Sequence, residues 1–187
     1  MSNNYNIISD SALWDRLVMG DIKAEEALYK RYYELLFNYG MKFSRDEDFV
    51  KDCIQDLFIK LYGRKTDAHV EYVRAYLLKG LRNIMFDRYE AKSRTVPIEQ
   101  FCFNICDLDS AETKLNEMTD ETLKIHGQLS IARATLTEKQ SHIIYLRFVR
   151  GLSYKEIAAV LDINVQSAMN SVNRAMAKLR SQMNKKP

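Results

Sequence analysis

Proline, the residue that most reliably stops a helix, occurs only twice in this 187-residue chain, at Pro97 and Pro187. On both sides of Pro97, long stretches repeat their apolar residues at the three-to-four spacing of a helix. No run alternates in the two-residue period of a half-buried strand. The expected fold class is all-α. Pro97 itself lies in "SRTVPIEQFCFNICDLDSAET", which has no clear period, so the pattern predicts two small helical domains joined by a linker. The boundaries fall at residues 1–93 for the first domain, 94–118 for the linker and 119–187 for the second domain.

Local chemistry places the helix ends. Asp10 or Ser11 is expected to cap "ALWDRLVM", with Gly20 as its stop, and Asp21 to cap a long helix reaching Phe43. The acids of "SRDED" suit the positive end of a third helix running to Gly63, and a fourth runs from about Val70 to Ser93. In the second domain, Thr137 with Gln140 and Ser153 with Glu156 have the spacing of capping boxes, and Asn164 can cap the last helix.

Charge divides along the same boundaries. Residues 1–93 hold 15 basic and 15 acidic residues, 94–118 hold 2 and 5, and 119–187 hold 11 and 5. A basic C-terminal third suggests a polyanionic partner, although a merely soluble basic surface gives the same count. No segment approaches the ~18 uninterrupted apolar residues of a membrane span, so no membrane insertion is expected. The first residues lack the basic-then-apolar order of a secretory signal, and three cysteines without a disulfide-like pattern suit a cytoplasmic protein. No P-loop, dinucleotide glycine pattern or triad spacing is present, so the chain is not expected to be an enzyme. Cys102 and Cys106 lack a nearby histidine pair, and His69, His126 and His142 do not cluster, so neither a metal nor a cofactor is expected.

The segment "SYKEIAAVLDINVQSAMNSVNRAMAKLR" carries two apolar stripes separated by Asp162–Asn164. Ile157, Leu161, Ala168, Val172 and Leu179 fall on inward faces if the chain turns there, and Ala158 is small where two helices would cross. Asp162 stands where a left-handed residue is wanted, a conformation Asp tolerates better than most side chains. Two helices joined by such a turn make either a helix-turn-helix or an ordinary helical hairpin. In the first case Gln166, Ser167, Asn170 and Arg174 face base edges and phosphates. Cations on flanking segments (Arg147, Arg150, Lys155, Lys178) would supply the phosphate attraction.

Two faces of the first domain have similar character. Opposite the apolar face Val50, Cys53, Ile54, Leu57, Phe58, Leu61 runs the stripe Asp52, Gln55, Asp56, Ile59. An isoleucine among polar residues fits a protein interface, or else a solvated face with one stray apolar residue. On the next helix Tyr72, Tyr76, Lys79, Asn83 and Phe86, with Arg82 at the edge, lie opposite Val73, Leu77, Leu81, Ile84 and Met85. Aromatic rings among cations suit unstacked bases, unless the rings pack under a neighbouring helix.

With these residues in view, "LTEKQSHIIYLRFVRGLSYKEIAAVLDINVQSAMNSVNRAMAKLR" resembles region 4 of the sigma-70 family. "GDIKAEEALYKRYYELLFNYGMKF", "DCIQDLFIKLYGRK" and "VRAYLLKGLRNIMFDRYEAKSR" resemble region 2. The segments stand in family order. The short length is similar to the extracytoplasmic-function (ECF) group, in wording closest to versions from Bacteroides-like bacteria. The resemblance implies an alternative sigma factor that binds bacterial core RNA polymerase, recognises −35 and −10 promoter elements and helps melt DNA, with an anti-sigma factor as a further partner. Carried onto this chain, it implies polymerase binding by Asp52, Gln55, Asp56 and Ile59. It implies −10 contacts by Lys65, His69, Tyr76, Lys79, Arg82, Asn83 and Phe86, with a flipped base received by the loop "GRKTDAHV". It implies −35 contacts by Arg147, Lys155, Gln166, Ser167, Asn170, Arg174 and Lys178. The acidic linker, with Asp107, Asp109 and Glu112, would thread the polymerase cleft. One departure stands out: Met169 and Ser171 occupy places where relatives often carry Arg or another polar reader. A stand-alone helix-turn-helix regulator, or a scaffold without DNA binding, are the other classes the residues admit. A regulator would bind duplex DNA alone and leave core polymerase inactive.

Overall fold

A computed structural model of the chain describes residues 5, 7–62, 70–92, 103, 127 and 129–184. The chain forms two compact units, Met1–Phe101 and Cys102–Pro187. Every regular element among the described residues is helical, so the fold is all-α.

The first unit contains α1 (Asp10–Val18), α2 (Ile22–Gly40), α3 (Glu47–Tyr62) and α4 (Val73–Lys92). The cap of α1 is Ser9, not Asp10 or Ser11 as expected, and its hydroxyl accepts from the Ala12 amide at 3.3 Å. Asp10 is engaged elsewhere: its Oδ1 accepts from Arg31 Nη1 at 2.5 Å, and its Oδ2 accepts from the Tyr32 hydroxyl. A carboxylate committed to α2 cannot also cap its own helix. Arg31 further donates to the carbonyls of Tyr5 and Ile8, and Tyr5 donates to Asp21 at 2.9 Å, strapping the N-terminal segment across α1 and α2. The hydrogen bond from Tyr5 holds the Asp21 carboxyl below its usual range.

Gly20 turns the chain at φ 86°, a left-handed value that costs glycine nothing, and Asp21 caps α2 through the amides of Lys23 and Ala24. The helix stops at Gly40, a turn before the expected end at Phe43. Asp46 Oδ1 accepts from the Phe49 amide at 3.0 Å and so opens α3. The predicted inward set of α3 is its buried set: Val50, Cys53, Ile54, Leu57, Phe58 and Leu61. In α4, Val73, Leu77, Leu81, Ile84 and Met85 are buried, joined by Ala75 and Leu78. α2 packs on the other three helices, and α4 also meets α1 and α3. Each fully buried Leu or Ile contributes roughly 1.5–3 kcal/mol.

The second unit has a helical stretch at 129–134, then α5 (Glu138–Ile144), a π-turn (Tyr145–Val149), α6 (Tyr154–Leu161) and α7 (Val165–Met183). Both predicted capping boxes form, at Thr137–Gln140 and Ser153–Glu156. The widened turn buries both Tyr145 and Leu146, and Phe103 packs on His142 and Tyr145 with centroids at 4.2 and 5.4 Å. α5 and α6 both pack on α7, whose inward stripe is Ala168, Val172, Ala175 and Leu179. Leu161, expected inside, is only half-buried, because the chain turns away directly after it.

Candidate nucleic-acid interface

The stripe on α3 lies outward. Asp52, Gln55 and Ile59 are exposed, Ile59 at 61%, while Asp56 is half-buried. The two acids are not isolated. Arg88 of α4 reaches back so that its Nη2 lies 2.5 Å from Asp56 Oδ2 and its Nη1 3.7 Å from Asp52 Oδ2. The sequence gives no local signal for this pairing, since Arg88 belongs to another helix. Gln55 and Ile59 are thereby the part of the stripe outside that ion-pair group.

The outward set of α4 is split by the structure. Tyr76, Lys79 and Asn83 line one concavity of about 430 Å³, shared with Leu57, Lys60 and Leu61 of α3 and with Gly80, Ile84 and Asp87 of α4. Gly80 makes this depression possible, because a Cβ there would lie 2.7 Å from Leu57 Cδ1. Tyr76 packs edge-on against buried Trp14 of α1, with centroids 4.8 Å apart, so its ring is held at one edge and only part of it faces outward. Arg82 and Phe86 form a separate group. The Arg82 guanidinium sits 5.3 Å from the Phe86 centroid, and Phe86 in turn meets Phe43 at 6.1 Å. Lys65, His69 and the rest of the expected base-accepting loop up to His69 lie outside the described residues, as do Asp107, Asp109 and Glu112.

In the second unit the helix pair α6–α7 turns through Asp162 at φ 58° and ψ 46°, the left-handed conformation its position demanded. The Ile163 amide donates to the Ala158 carbonyl at 3.1 Å, and Asn164 Oδ1 accepts from the Ser167 amide at 2.7 Å. Gln166, Asn170 and Arg174 project from the exposed face, with Ser167 half-buried at its edge. Gln166 Nε2 donates to Asn170 Oδ1 at 3.1 Å. The two exposed amides therefore hold each other in place, and each keeps one polar group outside that bond, the Gln166 carbonyl and the Asn170 amino group.

The expected phosphate-binding cations fall into two kinds. Arg147 donates to the Leu152 carbonyl at 2.8 Å and lies 4.7 Å from the Tyr154 centroid. Arg150 donates to the Tyr145 hydroxyl at 2.6 Å, and Lys178 donates to the Thr135 carbonyl. These three half-buried cations tie parts of the unit together through those hydrogen bonds. Lys155 and Arg174 stand exposed. Arg150's ion–dipole contact eases the ionisation of Tyr145, but burial dominates and raises its hydroxyl above the usual range.

Helix ends add an electrostatic contrast. α1, α2, α3, α5 and α6 each carry an acid in the first turn, which complements the helix dipole. α4 and α7 carry none. These are two of the three helices whose outward polar faces are described above, the third being α3.

Comparison with known proteins decides what this arrangement is. Residues 28–95 match the model of sigma-70 region 2, and residues 132–179 match that of sigma-70, region 4. The chain belongs to the sigma-70 family. This sigma factor is 27% identical over 180 residues to the RNA polymerase sigma factor CnrH of Cupriavidus metallidurans, covering 91% of its own length and 92% of the relative's. It is also 27% identical to the ECF RNA polymerase sigma-E factor of Escherichia coli, covering 90% and 91% of the two chains. With ECF sigma factor SigX of Bacillus subtilis the identity is 24%, over 84% and 82%. Two solved structures share the fold. One is CnrH in complex with the cytosolic domain of CnrY, with TM-score 0.61, 23% identity, and 95% and 99% of the two chains covered. The other is the sigma factor RpoE with the anti-sigma factor NepR from Bartonella quintana, with TM-score 0.55, 16% identity, and 87% and 98% covered. The matched region 2 spans α3 and α4 with most of α2, and the matched region 4 spans α5, α6 and most of α7. The sigma factor is an alternative, ECF-type subunit for transcription initiation. No described helix is long and apolar enough to cross a membrane.

Proposed function

We propose that the two units divide promoter recognition in the family's order. Residues 1–93 hold the polymerase and the −10 element, 94–118 form the connecting linker, and 119–187 hold the −35 element. On α3, Gln55 and Ile59 form the apolar–polar centre of the polymerase contact, with Asp52 and Asp56 at its edge beside Arg88. On α4, Tyr76, Lys79 and Asn83 receive unstacked −10 bases in their shared concavity, and Lys60 adds a second cation there. Arg82 and Phe86 extend the same strand path. On α7, Gln166, Ser167, Asn170 and Arg174 meet the −35 element, with Lys155 on its phosphates.

The observation that carries this reading is the coincidence, in α4 and α7 alone among the labelled helices, of an outward polar face with an acid-free first turn. A positive helix end without its own anion is a place for a phosphate. The deciding experiment is transcription in vitro with core polymerase, with permanganate footprinting of the −10 region. Tyr76→Ala and Asn83→Ala should keep core binding and lose −10 opening. Normal opening by both would remove the α4 face from the mechanism.

A bound inhibitor of anti-sigma type is part of the proposal, because among the solved structures that share this fold one holds an anti-sigma factor and another the cytosolic domain of a second protein. Working with polymerase places the protein in the cytoplasm. The relatives named above come from Cupriavidus, Escherichia and Bacillus, and they lend no support to a Bacteroides-like wording.

A further inference from the structure

The inward stripe of α7 is complete without Val165 and Met169. Ala168, Val172, Ala175 and Leu179 are the buried residues, whereas Val165 is 39% and Met169 36% exposed. Four residues apart, these two side chains are neighbours along one edge of the helix. Ile163, 37% exposed, continues that edge into the turn. One residue further round lie Gln166 and Asn170, also four apart and hydrogen-bonded to each other. The leading turns of α7 thus present two parallel rows, one apolar and one of fixed amides.

The first turn of a helix is a poor place for an exposed valine. Valine has a modest helix propensity, and an acid there would complement the dipole. Leaving apolar surface next to fixed amides at a helix end whose first turn has no acid makes sense if the surface is covered by something that itself has an apolar group beside hydrogen-bonding groups and a negative backbone. In the major groove one base edge has that chemistry: thymine shows a C5 methyl beside the O4 acceptor, and its paired adenine adds N7 and N6. A protein groove would supply apolar surface but not the neighbouring phosphates that the acid-free end and exposed Lys155 and Arg174 favour.

We infer that Val165 and Met169 read thymine methyl groups in the −35 element, so that this sigma factor's −35 preference includes T at one or two positions next to those contacted by Gln166 and Asn170. The inference rests on the assignment of α7 to the −35 element. It gives Met169 a specificity role in place of the cationic reader that the sequence comparison found missing.

The test replaces thymine by deoxyuridine, which removes only the methyl. Holoenzyme is first bound to a −35 library to find its preferred sequence, and each T is then changed singly to U on either strand. Wild type should lose about fourfold in affinity at one or two T positions, the value of one buried methyl at about 0.8 kcal/mol. Met169→Ala or Val165→Ala should bind the T and U versions equally at one of those positions. Met169→Leu should keep most of the discrimination. Thermal melts of each variant confirm that α7 remains folded. Holoenzyme that selects no −35 sequence overturns the assignment of α7 itself. Holoenzyme that selects a −35 sequence but ignores every T-to-U change, or whose T-to-U effect persists undiminished in both alanine variants, overturns the methyl inference alone. A loss of core polymerase affinity in the alanine variants, without a T-to-U effect, would make this edge a protein contact and overturn it as well.

Discussion

Gln55 and Ile59 are the side chains of the α3 stripe that Arg88 does not engage. Interfaces draw their affinity from a few desolvated anchors, so these two should matter more than the neighbouring acids. The double variant Gln55→Ala, Ile59→Ala should weaken binding to core polymerase at least tenfold in a competition assay, with an unchanged thermal melt because neither residue is buried. Core binding equal to wild type would reduce the stripe to solvated surface. Asp162 offers a test of backbone rather than contact. At φ 58° a β-branched residue is strained by roughly 1–2 kcal/mol and glycine is not. Asp162→Val should therefore lower the stability of the second unit in urea by about that amount, while Asp162→Gly stays within a few tenths of wild type. Asp162 was legible in the sequence because its signal is local: a short polar side chain between two amphipathic runs. The caps at Thr137, Ser153 and Asn164 were legible for the same reason. Ser9 and Arg88 were not, since what decides them is a partner on another helix: Asp10 is drawn away by Arg31 and Tyr32, and Arg88 reaches Asp56 across 32 positions of chain.

Among the elements, the α3–α4 contact is the one on which the −10 concavity depends. Gly80 lets α4 approach so closely that a Cβ would sit 2.7 Å from Leu57 Cδ1, a distance real Cβ atoms do not keep. Gly80→Ala gains helix propensity, worth up to about 1 kcal/mol, but forces one helix or the Leu57 side chain to move. Overpacking of this kind costs typically 1–3 kcal/mol, so the net effect should be a mild loss of stability of the first unit. The larger effect should be on opening at −10, because the walls that hold Lys60 against Tyr76, Lys79 and Asn83 would shift. Urea melting and permanganate reactivity of the same variant separate the two. Retained opening with normal stability would mean that the concavity is not used. The helices themselves were readable from periodicity, down to the buried set of α3 and all of that of α4 except Ala75 and Leu78. The concavity was not, because a period reports which residues face outward but not which outward residues of two helices converge. Tyr76 shows the same limit. Its place on the wheel marked it as outward, yet Trp14 of α1 holds one edge of its ring.

For the molecule as a whole, the sequence separates charge by region, and the structure refines which charges reach outward. Of the cations expected on −35 phosphates, Arg147, Arg150 and Lys178 are half-buried and donate to carbonyls or a tyrosine hydroxyl, whereas Lys155 and Arg174 are exposed, Arg174 donating to the Asn170 carbonyl of its own helix. Lys155→Ala and Arg174→Ala should each weaken all DNA sequences alike and reduce the slope of log affinity against log salt by about one. Arg147→Ala should instead lower the melting temperature of the protein. A titration of holoenzyme binding at several salt concentrations, beside thermal melts, distinguishes the two outcomes, and an unchanged slope for both exposed cations would move the phosphate contacts elsewhere. The acid-free first turns of α4 and α7 carry a further consequence, for the free protein this time. The first turns of two helices lack the acid worth about 0.3–1 kcal/mol that the others carry, so an anion bound there would add to the fold's stability. A ligand that binds only the native state raises the melting temperature by mass action. Promoter DNA should therefore act on this sigma factor as a folding ligand, and in its absence simple polyanions or sulfate should protect it, most visibly at low salt. The promoter would then be the missing end-group of two helices as well as the sequence they read.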